Sequence, residues 1–129
     1  KVTLQLSGDG KFHSEDGSSC EGMNPKKMLL YAAAQCSAQT ALMIMQKERI
    51  TPMRFEISYS GELSAEEVQS ESVYSSFHVV YNVACGSEDD QAKVSRAIDL
   101  THEKYCGMVR MLRMIAPVSH EIAVVSTGV

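Results

Sequence analysis

The sequence lacks a basic stripe with interleaved aromatics. Its 12 Lys and Arg stand against 16 Asp and Glu, with no clustering of the bases, which excludes a nucleic-acid face. No two of the four cysteines form a CxxC pair, and the four histidines match no zinc template, so neither a metal nor a cofactor is expected. His102-Glu103 lacks the second His of a zinc-protease helix and reads as a solvated helix face. No secretory signal opens the chain, since KVTLQLSGDG is polar and alternating, and the expectation is a cytoplasmic protein. It begins at Lys1 rather than Met, so a few leading residues are expected to have been trimmed. No repeat or low-complexity segment appears. The one long apolar run, Met28–Met45, is interrupted by Gln35, Ser37, Gln39 and Thr40. A bilayer span takes about 20 predominantly apolar residues, so a core helix is expected and no membrane partner.

What is there begins with that run. The 129 residues read as a single domain, 1–129, with a modest core that oligomerisation would help to complete. Asn24 is a good N-cap and Pro25 suits the first helical position, so a helix is predicted over Asn24–Gln46. Such a helix has no continuous polar stripe and must be wrapped on most sides. Cys36 sits in its middle.

Around it, Lys1–Ser7 alternates as a strand with Val2, Leu4 and Leu6 on one face. Gly8-Asp9-Gly10 is a turn and Lys11–Ser14 a return strand. Asp16-Gly17 is another turn, and Ser18–Glu21 is a candidate short strand. Glu48–Thr51 connects to a strand over Met53–Ser60, with Met53, Phe55, Ile57 and Tyr59 inward and Gly61 as its end. Ser64–Ser72 is an acidic, solvated loop. Val73–Cys85 is a long strand with Phe77, Val79, Tyr81 and Val83 in phase. Ser87 with Asp90 reads as a capping box, opening a helix with Val94, Ala97, Ile98, Thr101 and Tyr105 inward. Gly107 should bend or break it. A second helix, Met108–Ile115, turns Met108, Met111, Leu112 and Ile115 inward, and Pro117 closes it. Val118–Val125 is a last strand, in which His120 alternates with apolar residues as a core or interface histidine.

The order is β-β-(β)-α-β-β-α-α-β. Strands come in runs, so an α+β fold is expected rather than doubly wound α/β. The N-terminal strands cannot cover the central helix on every side, which predicts a homodimer with the central helices packed together. The cysteines are Cys20, Cys36, Cys85 and Cys106. Their even count admits a disulfide framework, but a chain with this much apolar core does not need one, and reduced thiols are the default. Cys20 and Cys85 read as structural or incidental. Met108, Met111 and Met114, close to Cys106, could line an adaptable apolar pocket.

Pro25 ahead of an apolar helix with Cys36 at its centre, then a charged helix ending Glu103-Lys104-Tyr105-Cys106, resembles the paired pattern of the OsmC/Ohr family, the osmotically inducible protein C and organic hydroperoxide resistance proteins. Val94–Leu112, VSRAIDLTHEKYCGMVRML, is similar to the second-cysteine segment of the OsmC-like subgroup. The resemblance runs over nearly the whole chain and is weakest before residue 24 and over Glu62–Ser72. It implies an intertwined homodimer with two sites at the subunit interface, and a cysteine-based peroxidase acting in oxidative stress. Cys36 would be peroxidatic and Cys106 resolving, with an organic hydroperoxide as substrate and a dithiol, such as a lipoyl group or thioredoxin, as reductant. The chemistry is coherent: a thiolate attacks, and a second thiol converts the sulfenic acid to a disulfide.

The pattern is not complete. Family peroxidases hold the first cysteine as thiolate with an Arg from the N-terminal strands, oriented by a Glu just after the Pro. Here Lys26 and Lys27 follow Pro25, and no Arg precedes Arg49. Lys27 lies nine residues before Cys36, about 13 Å along the helix, too far to serve it within one subunit, although a partner's could. Arg110 and Arg113 follow Cys106 by four and seven residues, so a helix continuing through Gly107 would bring them to its face. Either is a candidate thiolate-stabilising cation. Two readings follow: a thiol-dependent peroxidase reducing organic hydroperoxides, or an OsmC-fold protein without efficient peroxidase activity that binds a small lipophilic ligand at the dimer interface.

Overall fold

The computed structural model describes residues 1–65 and 71–126. Two antiparallel strands, β1 (Val2–Leu6) and β2 (Phe12–Ser14), precede the long helix α1 (Pro25–Lys47). Strands β3 (Arg54–Leu63) and β4 (Tyr74–Cys85) follow. Then come α2 (Glu88–Leu100), a π-helical turn over Thr101–Tyr105, α3 (Gly107–Ile115) and β5 (Val118–Ser126). One five-stranded sheet runs β2-β1-β3-β4-β5. All neighbours are antiparallel except β4 and β5, which the helical crossover makes parallel. The fold is α+β.

Alternation explains the sheet. Val2, Leu4, Phe55, Ile57, Tyr59, Phe77, Val79, Tyr81 and Val83 are buried on one face. Each large side chain there contributes about 1.5–3 kcal/mol by leaving water. α1 lies on that face against β1 and β3 and touches α2 and α3. Asn24 caps it through its side-chain oxygen, which accepts from Lys27 N–H at 2.9 Å. By length and composition α1 could cross a membrane, yet Leu30, Ala33, Ala34, Ala38, Ala41, Leu42 and Met45 are buried in the core. One of its polar residues ties it to β2: Gln35 Nε2 donates to Phe12 O at 3.0 Å, while Gln39 Nε2 donates to Gln35 Oε1 at 3.0 Å within the helix.

Several expectations are corrected. Ser18–Glu21 is no strand; Cys20–Gly22 forms a single 3₁₀ turn with no sheet neighbour. Met53 lies before β3 and is exposed. β3 runs through Gly61, which pairs with Phe77, because a bare Cα is what fits beneath the Tyr74 ring. Ser87 stands at the N-cap of α2, but its side chain makes no capping bond; only its carbonyl accepts, from Asp90 N–H. Ser64–Ser72 lies partly outside the described residues, and Ser72, inside them, is buried.

The largest correction lies after α2. Thr101 Oγ1 bonds back to Ala97 O, and Cys106 N–H reaches Thr101 O at 3.0 Å, five residues behind. That widened turn holds one residue more than an α turn. It carries Tyr105 outward and brings Cys106 into the buried position. The helical path breaks at Cys106, not within Gly107, and α3 sets off in a new direction. On α3, Val109 and Leu112 are buried, whereas Met111 and Ile115 are exposed. His102 is not solvated; it is 1 % exposed.

Candidate active site

The two cysteines singled out in the sequence meet. Cys36, half-buried on α1, has its Sγ 3.2 Å from the Sγ of Cys106, which donates to it. Cys106 is 0 % exposed. None of the four cysteines is in a disulfide; Cys20 is exposed and Cys85 buried at the end of β4. Cys85 Sγ sits 3.4 Å from Ser87 O and 3.5 Å from Val125 O, a contact within the sheet end.

Behind the sulfur pair lies a buried polar chain. Ser37, next to Cys36, bonds the Tyr59 hydroxyl and stands 3.4 Å from Cys106 Sγ. Tyr81 Oη lies 2.6 Å from His102 Nε2. His102 stacks on His120 with ring centroids 4.2 Å apart, and His120 Nε2 meets Asp99 Oδ1 at 2.9 Å near the surface. Hence His120 is a satisfied, half-buried histidine, as its strand phase predicts.

Burial governs the titration of this cluster. It raises the phenols of Tyr59 and Tyr81 above their usual range; the Ser37 hydrogen bond offsets part of the rise in each. Burial also pushes the Cys106 thiol up, opposed by the Ser37 hydroxyl and the Val109 N–H in the first turn of α3. His102 is lowered to about 3, first by burial and then by His120 and Arg113, so it is neutral at physiological pH.

The candidate cations separate. Arg113 is exposed on α3, yet its charge acts on both Tyr59 and His102. Arg110 contributes a backbone N–H to Cys106 O at 3.2 Å. Lys27 faces Lys1 and Asp16 beside the start of β1. Lys26 donates from Nζ to Ser72 Oγ at 2.7 Å, and its carbonyl accepts from the Tyr74 hydroxyl at 2.7 Å. Among the described residues no three His, Cys, Asp or Glu gather as a metal site. Ser37, Tyr59, Tyr81 and His102 are the site residues that sequence reasoning missed. A signal existed for two of them: Ser37 is a hydroxyl inside an apolar helix beside the key cysteine, and His102 lies four residues after buried Ile98.

The family model described as OsmC-like protein matches residues 16–121. This chain belongs to the OsmC-like family. Protein YhfA of Escherichia coli strain K12 is 32% identical over 112 residues, covering 86% of this chain and 81% of that one. The OsmC-like protein of Mycoplasma pneumoniae superposes with a TM-score of 0.67 at 14% identity, over 97% of each chain. The organic hydroperoxide resistance protein OhrB of Bacillus subtilis does so with a TM-score of 0.57 at 20% identity, over 95% of this chain and 96% of that one. At those identities the two structures establish the OsmC fold and nothing finer.

Proposed function

We propose that this OsmC-like protein is a thiol-dependent peroxidase that reduces organic hydroperoxides. The observation that carries the reading is the 3.2 Å contact between a half-buried and a fully buried free thiol. The accessible sulfur can meet substrate, and the sheltered one can only meet the first. Cys36, as thiolate, attacks the terminal oxygen of the hydroperoxide. The O–O bond breaks, the alkoxide leaves and takes a proton, and Cys36 becomes a sulfenic acid. Cys106 then attacks the Cys36 sulfur, the S–O bond breaks, and water departs with the Cys106 proton. A dithiol reductant reopens the disulfide by exchange. Arg113 is the cation best supported for electrostatic assistance, because its charge already acts at Tyr59.

The same reading includes a homodimer. Met28 and Met43 on α1, and Met111, Met114 and Ile115 on α3, are apolar and exposed in the single chain; a second copy would cover them and wall the site with apolar surface. Sedimentation at micromolar concentration tests this, and a stable monomer would overturn it.

The competing reading, a lipophilic-ligand binder without efficient peroxidase activity, draws on Lys26 in place of the acid and on the absence of an N-terminal arginine. One experiment divides the two. Mixing reduced protein with an alkyl hydroperoxide should consume two thiols per chain and yield a Cys36–Cys106 disulfide, found by peptide mass mapping. An unchanged thiol titre defeats the peroxidase.

A further inference from the structure

We propose that Ser37, held by Tyr59, is the positioning residue that prepares Cys106 to close the disulfide. The inference rests on the reading of Cys106 as the resolving thiol, and its argument is the direction of the buried hydrogen bonds.

A serine hydroxyl has one hydrogen and two lone pairs. The Tyr59 hydroxyl bonds Ser37 Oγ. A phenol is the better donor of the two, so it fills a serine lone pair. The Ser37 hydrogen is then left for Cys106 Sγ at 3.4 Å.

His102 orders the pair next to it. Its Nδ1 is buried with no partner among the described residues, while Nε2 lies 2.6 Å from Tyr81 Oη. An unpaired buried N–H is the costlier arrangement than an unpaired lone pair, so the proton belongs on Nε2, which donates to Tyr81. The donors at the thiol therefore run Tyr59 to Ser37 to Cys106, with the His102–Tyr81 pair buried beside them.

The consequence falls on one step. Cys106 must lose its proton to attack the Cys36 sulfenic acid, and it is buried, which opposes a charge. The Ser37 hydroxyl, 3.4 Å from its sulfur, and the first-turn N–H of Val109 both favour the thiolate. Its own S–H is aimed at Cys36, where the departing oxygen can take the proton and leave as water. The titratable groups facing this thiol are Cys36 on α1, Tyr59 on β3 and Tyr81 on β4, with the charge of Arg113 on α3 acting on Tyr59 and His102.

The test reads resolution without any hydroperoxide. In a Cys20→Ser background, dithiodipyridine first modifies accessible Cys36 and releases one thiopyridone. Attack by Cys106 then releases the second, and that second phase is followed against pH. Ser37→Ala should slow it about tenfold at neutral pH, the loss of roughly one hydrogen bond to a charged sulfur, and move its pH dependence to higher pH. The first phase should keep its rate. Ser37→Thr, which keeps the hydroxyl, should restore the second phase, and Tyr59→Phe should slow it more mildly than Ser37→Ala. A second phase in Ser37→Ala with the rate and pH profile of the parent overturns the proposal. So does a slowing that Ser37→Thr shares equally. Should the parent close its disulfide here yet ignore alkyl hydroperoxides, the peroxidase reading fails while this one stands.

Discussion

His102 lies flat against His120, with ring centroids 4.2 Å apart and planes 17° from parallel. Two imidazoles stacked so closely cannot both carry charge cheaply, and His102 is also walled from water. Its pKa falls from 6.5 to about 3. The folded state therefore binds fewer protons than the unfolded state between those values, and stability rises with pH across that window. Acidification from pH 6.5 towards 3 should destabilise the protein by up to about 1.4 kcal/mol per unit from this group alone. His102→Gln, which can keep a donor towards Tyr81, should flatten the slope relative to the parent. Urea unfolding at a series of pH values measures the difference, and parallel curves would refute it.

The two sulfurs should differ sharply in reach. Cys106 is fully enclosed while Cys36 is half-open. In Cys36→Ser, iodoacetamide under native conditions should modify Cys20 and leave Cys106 untouched; in Cys106→Ser it should modify both Cys20 and Cys36. After hydroperoxide, Cys106→Ser should accumulate a sulfenic acid at Cys36 that dimedone captures, since nothing resolves it. Mass spectrometry of the labelled peptides checks each outcome.

Much of this architecture is written in simple periods. Phe55, Ile57 and Tyr59, and likewise Phe77, Val79, Tyr81 and Val83, are buried as strand alternation requires. Asn24 caps α1 as its type suggests. What escaped reading depends on partners distant in sequence. Gly61 looks like a strand terminator until Tyr74 is laid across it. Met111 and Ile115 belong by period to an inner face, yet both are exposed in the single chain. The cysteine pair was legible only through its family resemblance, because no local rule joins residues 36 and 106. Ser37 stood out as a hydroxyl in an apolar helix, but its meaning depends on a phenol and a thiol distant in sequence.

Gly61 gives a stability prediction. A Cβ there would sit 2.6 Å from two ring atoms of Tyr74. The ring cannot swing aside freely, because its hydroxyl is fixed to Lys26 O. Gly61→Ala should cost about 1–3 kcal/mol, the usual range for overpacking. In a Tyr74→Leu background the same change should cost much less, so the two substitutions should be strongly non-additive. Equilibrium denaturation of the four proteins closes the cycle, and additive costs would show that the ring is not the obstacle.

The π turn yields the sharpest test of how Cys106 reaches its partner. On an unbroken α-helix Tyr105, seven residues and nearly two full turns beyond Ile98, would point inward. Here the turn holds an extra residue, so Cys106 takes that place and Tyr105 is exposed. Moving the thiol by one position, with Tyr105→Cys and Cys106→Ser together, should abolish the oxidant-induced disulfide with Cys36. Deleting exposed Lys104 should do the opposite of what removal of a site residue does: the turn relaxes to an ordinary α turn, the sulfur moves up one place in sequence, and it stays at the inward angle. That variant should retain most disulfide formation. Non-reducing peptide mapping after oxidation reads both, and a disulfide in the shifted variant would show that the widened turn does not set the position of this thiol.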